Sequence, residues 1–173
     1  PERTILVVDD EPSIRRTLRE ILEYEGYSVA EAEDGEQVIE AVRKNHFDLV
    51  LLDVKMPKRD GMEVLHILAK EYSQLPVVMI SGHGTIETAV EATRAGAFDF
   101  IEKPPDLNRL LLTVRNALDH GVLEVENRRM KQTIADKHVV TPILGESKAI
   151  QEIKETIERV APTEARIMIT GEP

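Results

Sequence analysis

The chain has no cysteine, which excludes disulfides and thiolate metal sites. Its histidines, His46, His66, His83, His120 and His138, are scattered without the spacing of metal ligands, so a zinc centre is not expected. Aromatic residues make up only 3% of the sequence and leave few platforms on which single-stranded bases stack. Basic clusters are missing too. The net charge is −10, most of it falls on residues 1–120, and no segment gathers the cations that neutralise a phosphate backbone. Direct DNA contact by these residues is therefore disfavoured. No run of eighteen apolar residues occurs, and the sequence opens into a short strand-like run without a signal-peptide pattern. A soluble, cytoplasmic chain with no membrane contact is expected.

What is present is enough apolar residue, 42% of 173, to bury one complete core and leave an appendage. Over the first 120 residues, short apolar runs alternate with longer segments of helical period. The runs are Ile5 to Val8, Val29 to Ala30, Leu49 to Leu52, Val77 to Ile80 and Phe98 to Ile101. Between and after them lie helical stripes: Ile14, Leu18, Ile21 and Leu22; Val38, Ile39 and Val42; Val64, Leu65, Ile67 and Leu68; a weaker Ile86, Ala89 and Val90; then Leu107, Leu110, Leu111, Val114 and Leu118. Five βα units predict an α/β fold, a parallel sheet covered by helices on both faces. Asp34-Gly35, Asp60-Gly61 and Gly82 to Gly84 supply turns after strands, Gly26 and Gly96 after helices, and Asp106 is placed to cap the fifth helix.

Leu123, Asn127, Met130 and Ile134 continue that fifth helix at spacings of four, three and four. This predicts a linker helix over residues 121–140. Two readings stay open for it: a short coiled coil with Asn127 at a seam position, or a solvated connector whose register Gly121, Val122 and Val125 interrupt. Lys137 to Glu146, with Pro142 and Gly145, breaks the helix. Ile150, Ile153, Ile157 and Val160 start another amphipathic helix, and Arg166 to Thr170 reads as a strand.

Ligands of an open α/β sheet bind beyond the carboxyl ends of its strands. Here the first strand ends in Asp9-Asp10-Glu11, the third in Asp53, the fourth in Ser81 and the fifth in Lys103. Each alone has a plain structural reading, since an aspartate after a strand often caps a helix or makes an Asx turn. Together they put carboxylates, a hydroxyl and an ammonium on one edge. Crowded carboxylates repel unless a cation intervenes, and a hard oxygen cluster suits Mg²⁺. Asp9 and Asp10 are the expected metal anchors, with Asp53 deepest. A carboxylate so placed attacks phosphorus to give an aspartyl phosphate, which Lys103 pairs with and Ser81 donates to. Lys103-Pro104 is a candidate cis peptide.

The segments ILVVDDEPS, LVLLDVKMPKRDG, VVMISGHG and AFDFIEKP resemble the receiver domain of two-component response regulators over about residues 3–120. The resemblance implies a flavodoxin-like, doubly wound five-stranded sheet in residues 1–120. It implies that Asp53 takes its phosphoryl group from a sensor histidine kinase, that the backbone carbonyl of Lys55 completes the metal site, and that Ser81 and Phe100 reorient on phosphorylation. A homodimer is expected. ILGESKAIQEIKETIERVAPTEARIMITGEP resembles the start of the AAA+ domain of sigma-54-dependent activators of the NtrC and NtrX group, giving a fragment over residues 141–173. The phosphate-loop lysine is absent from it, so ATP hydrolysis is not expected of these residues, and sigma-54 polymerase and DNA would be reached only through regions not in the sequence. The chain is thus expected to be a regulatory domain and not an enzyme. A rival, a Mg²⁺-dependent phosphatase using an aspartyl-phosphate intermediate, is disfavoured because haloacid-dehalogenase enzymes carry a second aspartate where Lys55 stands.

Overall fold

Five strands share one sheet, and the central three are largely apolar on both faces. β1 (Thr4–Val8), β2 (Ser28–Ala32), β3 (Leu49–Asp53), β4 (Val77–Ser81) and β5 (Asp99–Glu102) lie in the order β2-β1-β3-β4-β5, with every pairing parallel. This is the flavodoxin-like arrangement, with its switch point between β1 and β3. The structure, a computed structural model, describes residues 3–137, 143 and 145–162.

Side chains alternate across each strand, so the sheet sorts them into two cores. Leu6, Val8, Val50, Leu52, Val77 and Met79 face α2 (Gly35–Lys44) and α3 (Gly61–Glu71), where Val38, Val64, Leu65 and Leu68 are buried. Ile5, Val7, Leu49, Leu51, Val78, Ile80 and Ile101 face α1 (Pro12–Tyr24) and α5 (Leu107–Lys137), meeting Leu18, Leu22, Leu110, Val114 and Leu118. Each such side chain contributes roughly 1.5–3 kcal/mol by leaving water, which is why the central strands are almost purely aliphatic. α4 (Ile86–Arg94) is the exception. It buries only Ala92, while Ile86 is 82% exposed and Val90 also faces solvent.

Side chains cap the helix starts, at Asp106 as expected, at Asp34 and Asp60 where turns were expected, and at Thr85, which the sequence did not single out. Asp34 accepts from the amides of Glu36 and Gln37, Asp60 from Met62, Thr85 from Thr88 and Asp106 from Arg109, so these side chains satisfy first-turn donors. Gly26 and Gly96 take positive φ after α1 and α4. The fifth helix runs unbroken through Gly121 to Lys137. The coiled-coil question for Ile134, most of the helix break at Lys137 to Glu146, and the strand expected at Arg166 to Thr170 lie outside the described residues or side chains.

Residues 1–131 and 132–173 form two compact units. In the second, α6 (Lys148–Val160) is capped by Ser147, whose hydroxyl accepts from the Ile150 amide. Its apolar residues Ile153 and Ile157 are exposed.

Candidate functional site

The sheet register builds the acidic edge. Val8 pairs with Leu52, which sets the next residues, Asp9 and Asp53, side by side at the ends of β1 and β3. Asp53 pairs with Ile80 on β4, whose carbonyl accepts from the Val54 amide. Ser81 pairs with Glu102 on β5, and the Lys103 amide donates to the Ser81 carbonyl. Lys103 therefore emerges at the same end of the sheet, before a cis Lys103-Pro104 bond. Asp9, Asp10 and Asp53 each offer a carboxylate oxygen, and these lie within 4.8 Å of one another.

Lys103 Nζ stands 2.6 Å from Asp9 Oδ2 and 3.1 Å from Asp53 Oδ2. Asp53 is not the deepest acid, contrary to the sequence-based expectation: Asp9 is 2% exposed and Asp53 5%. The reason is local, because Asp9 is held from its backbone as well. Arg15 of α1 donates to the Asp9 carbonyl at 2.7 Å, and Asp9 Oδ1 accepts from the Glu11 amide at 2.9 Å. Arg15 pairs in turn with Glu31 of β2. Nothing in the sequence marked Arg15; only its place on the inner first turn of α1, beside the acidic loop, gives it the role.

Burial drives the Asp53 carboxyl above its ordinary range, and the charge of Asp9 pushes the same way. The Lys103 ammonium, paired with it, and the Lys55 backbone amide pull back only in part. Burial disfavours the charge on Lys103 too, but its two carboxylates outweigh that and raise its pKa. Three acids against one ammonium leave negative charge uncompensated, and Asp10 opens the cluster to solvent. An all-oxygen, net-negative cluster that opens to solvent at Asp10 fits a hard divalent cation.

The loop from β3 to α3 closes tightly on Asp53. The Gly61 amide donates to the Val54 carbonyl at 2.8 Å, and a Cβ on Gly61 would overlap the Asp53 carbonyl oxygen. Only glycine fits there. On the neighbouring strand Ser81 is buried, and its Oγ accepts from the His83 amide at 3.3 Å, leaving the hydroxyl proton to donate elsewhere. A Cβ on Gly84 would approach the Phe100 ring to 2.5 Å, so the loop after β4 rests on that ring. A recess of about 720 Å³ is elsewhere. It lies at the opposite end of the sheet, bordered by Arg3, His46, Phe47, Leu75 and Leu118, and shares no residue with the acidic cluster.

Residues 5–115 match the response regulator receiver domain. The chain belongs to that family. This receiver is 43% identical over 169 residues to the nitrogen assimilation regulatory protein NtrX of Azorhizobium caulinodans, covering 96% of this chain and 36% of the relative. It is 37% identical to the C4-dicarboxylate transport transcriptional regulatory protein DctD of Pseudomonas aeruginosa, covering 97% of this chain and 37% of that protein. The crystal structure of NtrX from Brucella abortus superposes with a TM-score of 0.71 at 42% identity, covering 99% of this chain and 37% of that one. The receiver chain thus spans little more than a third of the length of these relatives. Among the described residues, no helix is long and apolar enough to cross a membrane.

Proposed function

We propose that Asp53 is the phosphoryl acceptor of this receiver and that its modification controls a downstream transcription activator of the sigma-54 class. The observation that carries the reading is the pairing of Asp53 with Lys103 at 3.1 Å inside a cluster of three carboxylates. Asp9, Asp10, Asp53 and the backbone carbonyl of Lys55 are the proposed holders of Mg²⁺, which when bound supplies neutralisation of the charge on the transferring oxygens. An Asp53 oxygen forms the new bond to phosphorus as the bond from phosphorus to the kinase's imidazole nitrogen breaks. Lys103 exchanges its contact with the Asp53 carboxylate for the incoming phosphoryl oxygens, and the Ser81 hydroxyl donates to one of them.

That donation draws Ser81 toward Asp53 and frees the contact between Gly84 and Phe100, so the ring changes rotamer and the surface of α4, β5 and α5 is remodelled. Exposed Ile86 and Val90 make that surface suited to a changed dimer or interdomain contact. A switch from mostly inactive to mostly active needs a differential of a few kcal/mol between the two states, on the order of that required for any near-complete population shift. In this reading the domains are the receiver at 1–120, the linker helix at 121–140 and an AAA+ fragment at 141–173. The likeness to NtrX over nearly the whole chain supports the third. A sensor histidine kinase, a second copy of the chain and, through the longer protein, sigma-54 polymerase and DNA are the partners, in the cytoplasm. The role is regulatory: Asp53 is modified once and does not turn over a substrate.

Labelling with acetyl phosphate and Mg²⁺ tests the acceptor. Wild type should take up one phosphoryl group and Asp53→Asn none; full labelling of the variant would remove Asp53 from the role. Sedimentation with and without beryllium fluoride tests the output, and an unchanged association state would sever the pocket from it. Sustained phosphate release from a simple ester, the signature of the phosphatase alternative, is not expected.

A further inference from the structure

Lys58, in the middle of the loop between Asp53 and α3, has a φ of +64°, a left-handed conformation that a side chain disfavours. Its amine reaches across to α2, where Nζ lies 2.6 Å from Asp34 Oδ2. Asp34 is almost fully enclosed, with its side chain 3% exposed, while that of Lys58 is 55% exposed. The two oxygens of Asp34 divide the work: Oδ1 accepts from the amides of Glu36 and Gln37 at the start of α2, and Oδ2 takes Lys58. Beside this pair the backbones are already in contact. A Cβ on Gly35 would fall 2.6 Å from Arg59 Cβ and 2.8 Å from the Arg59 carbonyl oxygen, and the Arg59 amide turns back onto the Pro57 carbonyl at 2.7 Å. A residue held in an unfavourable conformation persists only where its surroundings fix it.

The loop so fixed carries Lys55, two residues beyond Asp53, whose backbone amide favours the ionised form of the Asp53 carboxylate. At its far end Gly61 is clamped onto Val54 and Asp53. Between those two points Lys58 links the loop to α2 by charge, closely through Asp34 at 2.6 Å and more loosely through Glu36 at 4.0 Å.

We propose that the Asp34–Lys58 ion pair is a positioning latch for the Asp53 loop. By holding residue 58 left-handed against α2, it sets where the Lys55 backbone lies beside Asp53, and so tunes both divalent-cation binding and the rate at which Asp53 is phosphorylated. The latch rests on the reading of Asp53 as the acceptor. Neither Asp34 nor Lys58 touches the reacting atoms; both act through the Lys55 backbone. Groups that orient metal ligands from behind commonly change metal affinity by about 10- to 100-fold when removed, and a half-exposed latch belongs at the lower end of that range.

The test uses the full chain, Mg²⁺ titrated alone by calorimetry, and labelling by acetyl phosphate. Lys58→Met keeps the methylene stem and loses the charge. Asp34→Asn keeps an oxygen to cap α2 and loses the pair, and Lys58→Arg restores the charge. The latch predicts that Lys58→Met and Asp34→Asn each weaken Mg²⁺ binding and slow labelling by about tenfold. The double variant should be no worse than the worse single, and Lys58→Arg should stay near wild type. If thermal melts show Lys58→Met and Asp34→Asn to be folded while both bind Mg²⁺ and label like wild type, the pair is merely structural and the latch is refuted. Multiplicative losses in the double variant would refute it as well, since the two residues would then act separately. Should Lys58→Met fail to fold, Asp34→Asn and Lys58→Arg decide the same question. A wild-type chain that neither binds Mg²⁺ nor labels overturns the acceptor reading, and the latch with it.

Discussion

Lys103 Nζ is shared between Asp9 and Asp53, closer to the first at 2.6 Å than to the second at 3.1 Å. One ammonium therefore holds together two buried acids at adjacent strand ends. This fixes the order of consequences when either the cation or an acid is removed.

Replacing Lys103 by Met leaves Asp9 and Asp53 buried without their counter-charge. Removing one partner of a buried ion pair costs about 3–5 kcal/mol, and the opening of the cluster at Asp10 places this site at the low end of that range. Thermal unfolding should show a lowered midpoint that Mg²⁺ raises more strongly in Lys103→Met than in wild type, because a divalent cation takes over the missing compensation. An equal response to Mg²⁺ in both proteins would mean that the ammonium and the cation do not share the cluster.

Asp53 makes the opposite prediction. Burial raises its pKa in the folded chain above the ordinary 3.8, so between those two values the native state binds the proton more tightly than the unfolded state. Stability therefore falls as pH rises through that window, and the ionised carboxylate costs stability at neutral pH. Without divalent cation, Asp53→Asn should be more stable than wild type at pH 7, and the difference should shrink as pH falls toward 3.8. Lys103, whose pKa is raised, contributes its stabilisation below the ordinary 10.5 and loses it as pH climbs past its folded value. Urea unfolding at a series of pH values reads both. A constant difference between wild type and Asp53→Asn from pH 4 to 8 would contradict the burial effect.

Much of this was legible in the sequence, for a physical reason. A doubly covered parallel strand is apolar on both faces, so Leu49 to Leu52 and Val77 to Ile80 announce themselves without any alternation. Residues that follow such runs fall on one edge by topology alone, which is how Asp9, Asp53, Ser81 and Lys103 were found together. Illegible were the contacts that no periodicity links: Arg15 on the Asp9 carbonyl, and, between groups remote in the chain, Lys58 on Asp34 and the preference of Lys103 for Asp9. Asp34-Gly35 and Asp60-Gly61 read as turns, but their glycines are required by how closely a neighbouring backbone approaches, which only the folded packing reveals.

Gly61 gives the sharpest case. Gly→Ala at a helical position ordinarily stabilises by roughly 1 kcal/mol. At the first residue of α3 the added methyl would overlap the Asp53 carbonyl oxygen and lie 2.9 Å from Val54 Cα, and backbone atoms have little room to retreat. Gly61→Ala should therefore destabilise, by about 1–3 kcal/mol on the scale of overpacked sites. Chemical denaturation with an unchanged m-value is the measurement, and a stabilised variant would show that α3 shifts freely against β3.

Gly84 differs because its close neighbour is a side chain. An added Cβ would meet the Phe100 ring at 2.5 Å, and Phe100 is only partly buried, so the ring can move at modest cost. Gly84→Ala should keep most of its stability but displace the Phe100 ring in the unphosphorylated chain. If that ring reports the switch, the displacement should carry the chain part of the way to the phosphorylated state. NMR spectra of the aromatic protons, taken before and after beryllium fluoride and Mg²⁺, compare the two. The variant's Phe100 signals should start nearer their activated positions and move less on addition. Signals that start at the wild-type position would mean that residue 84 does not hold the ring, and that Ser81 must act on Phe100 by another route.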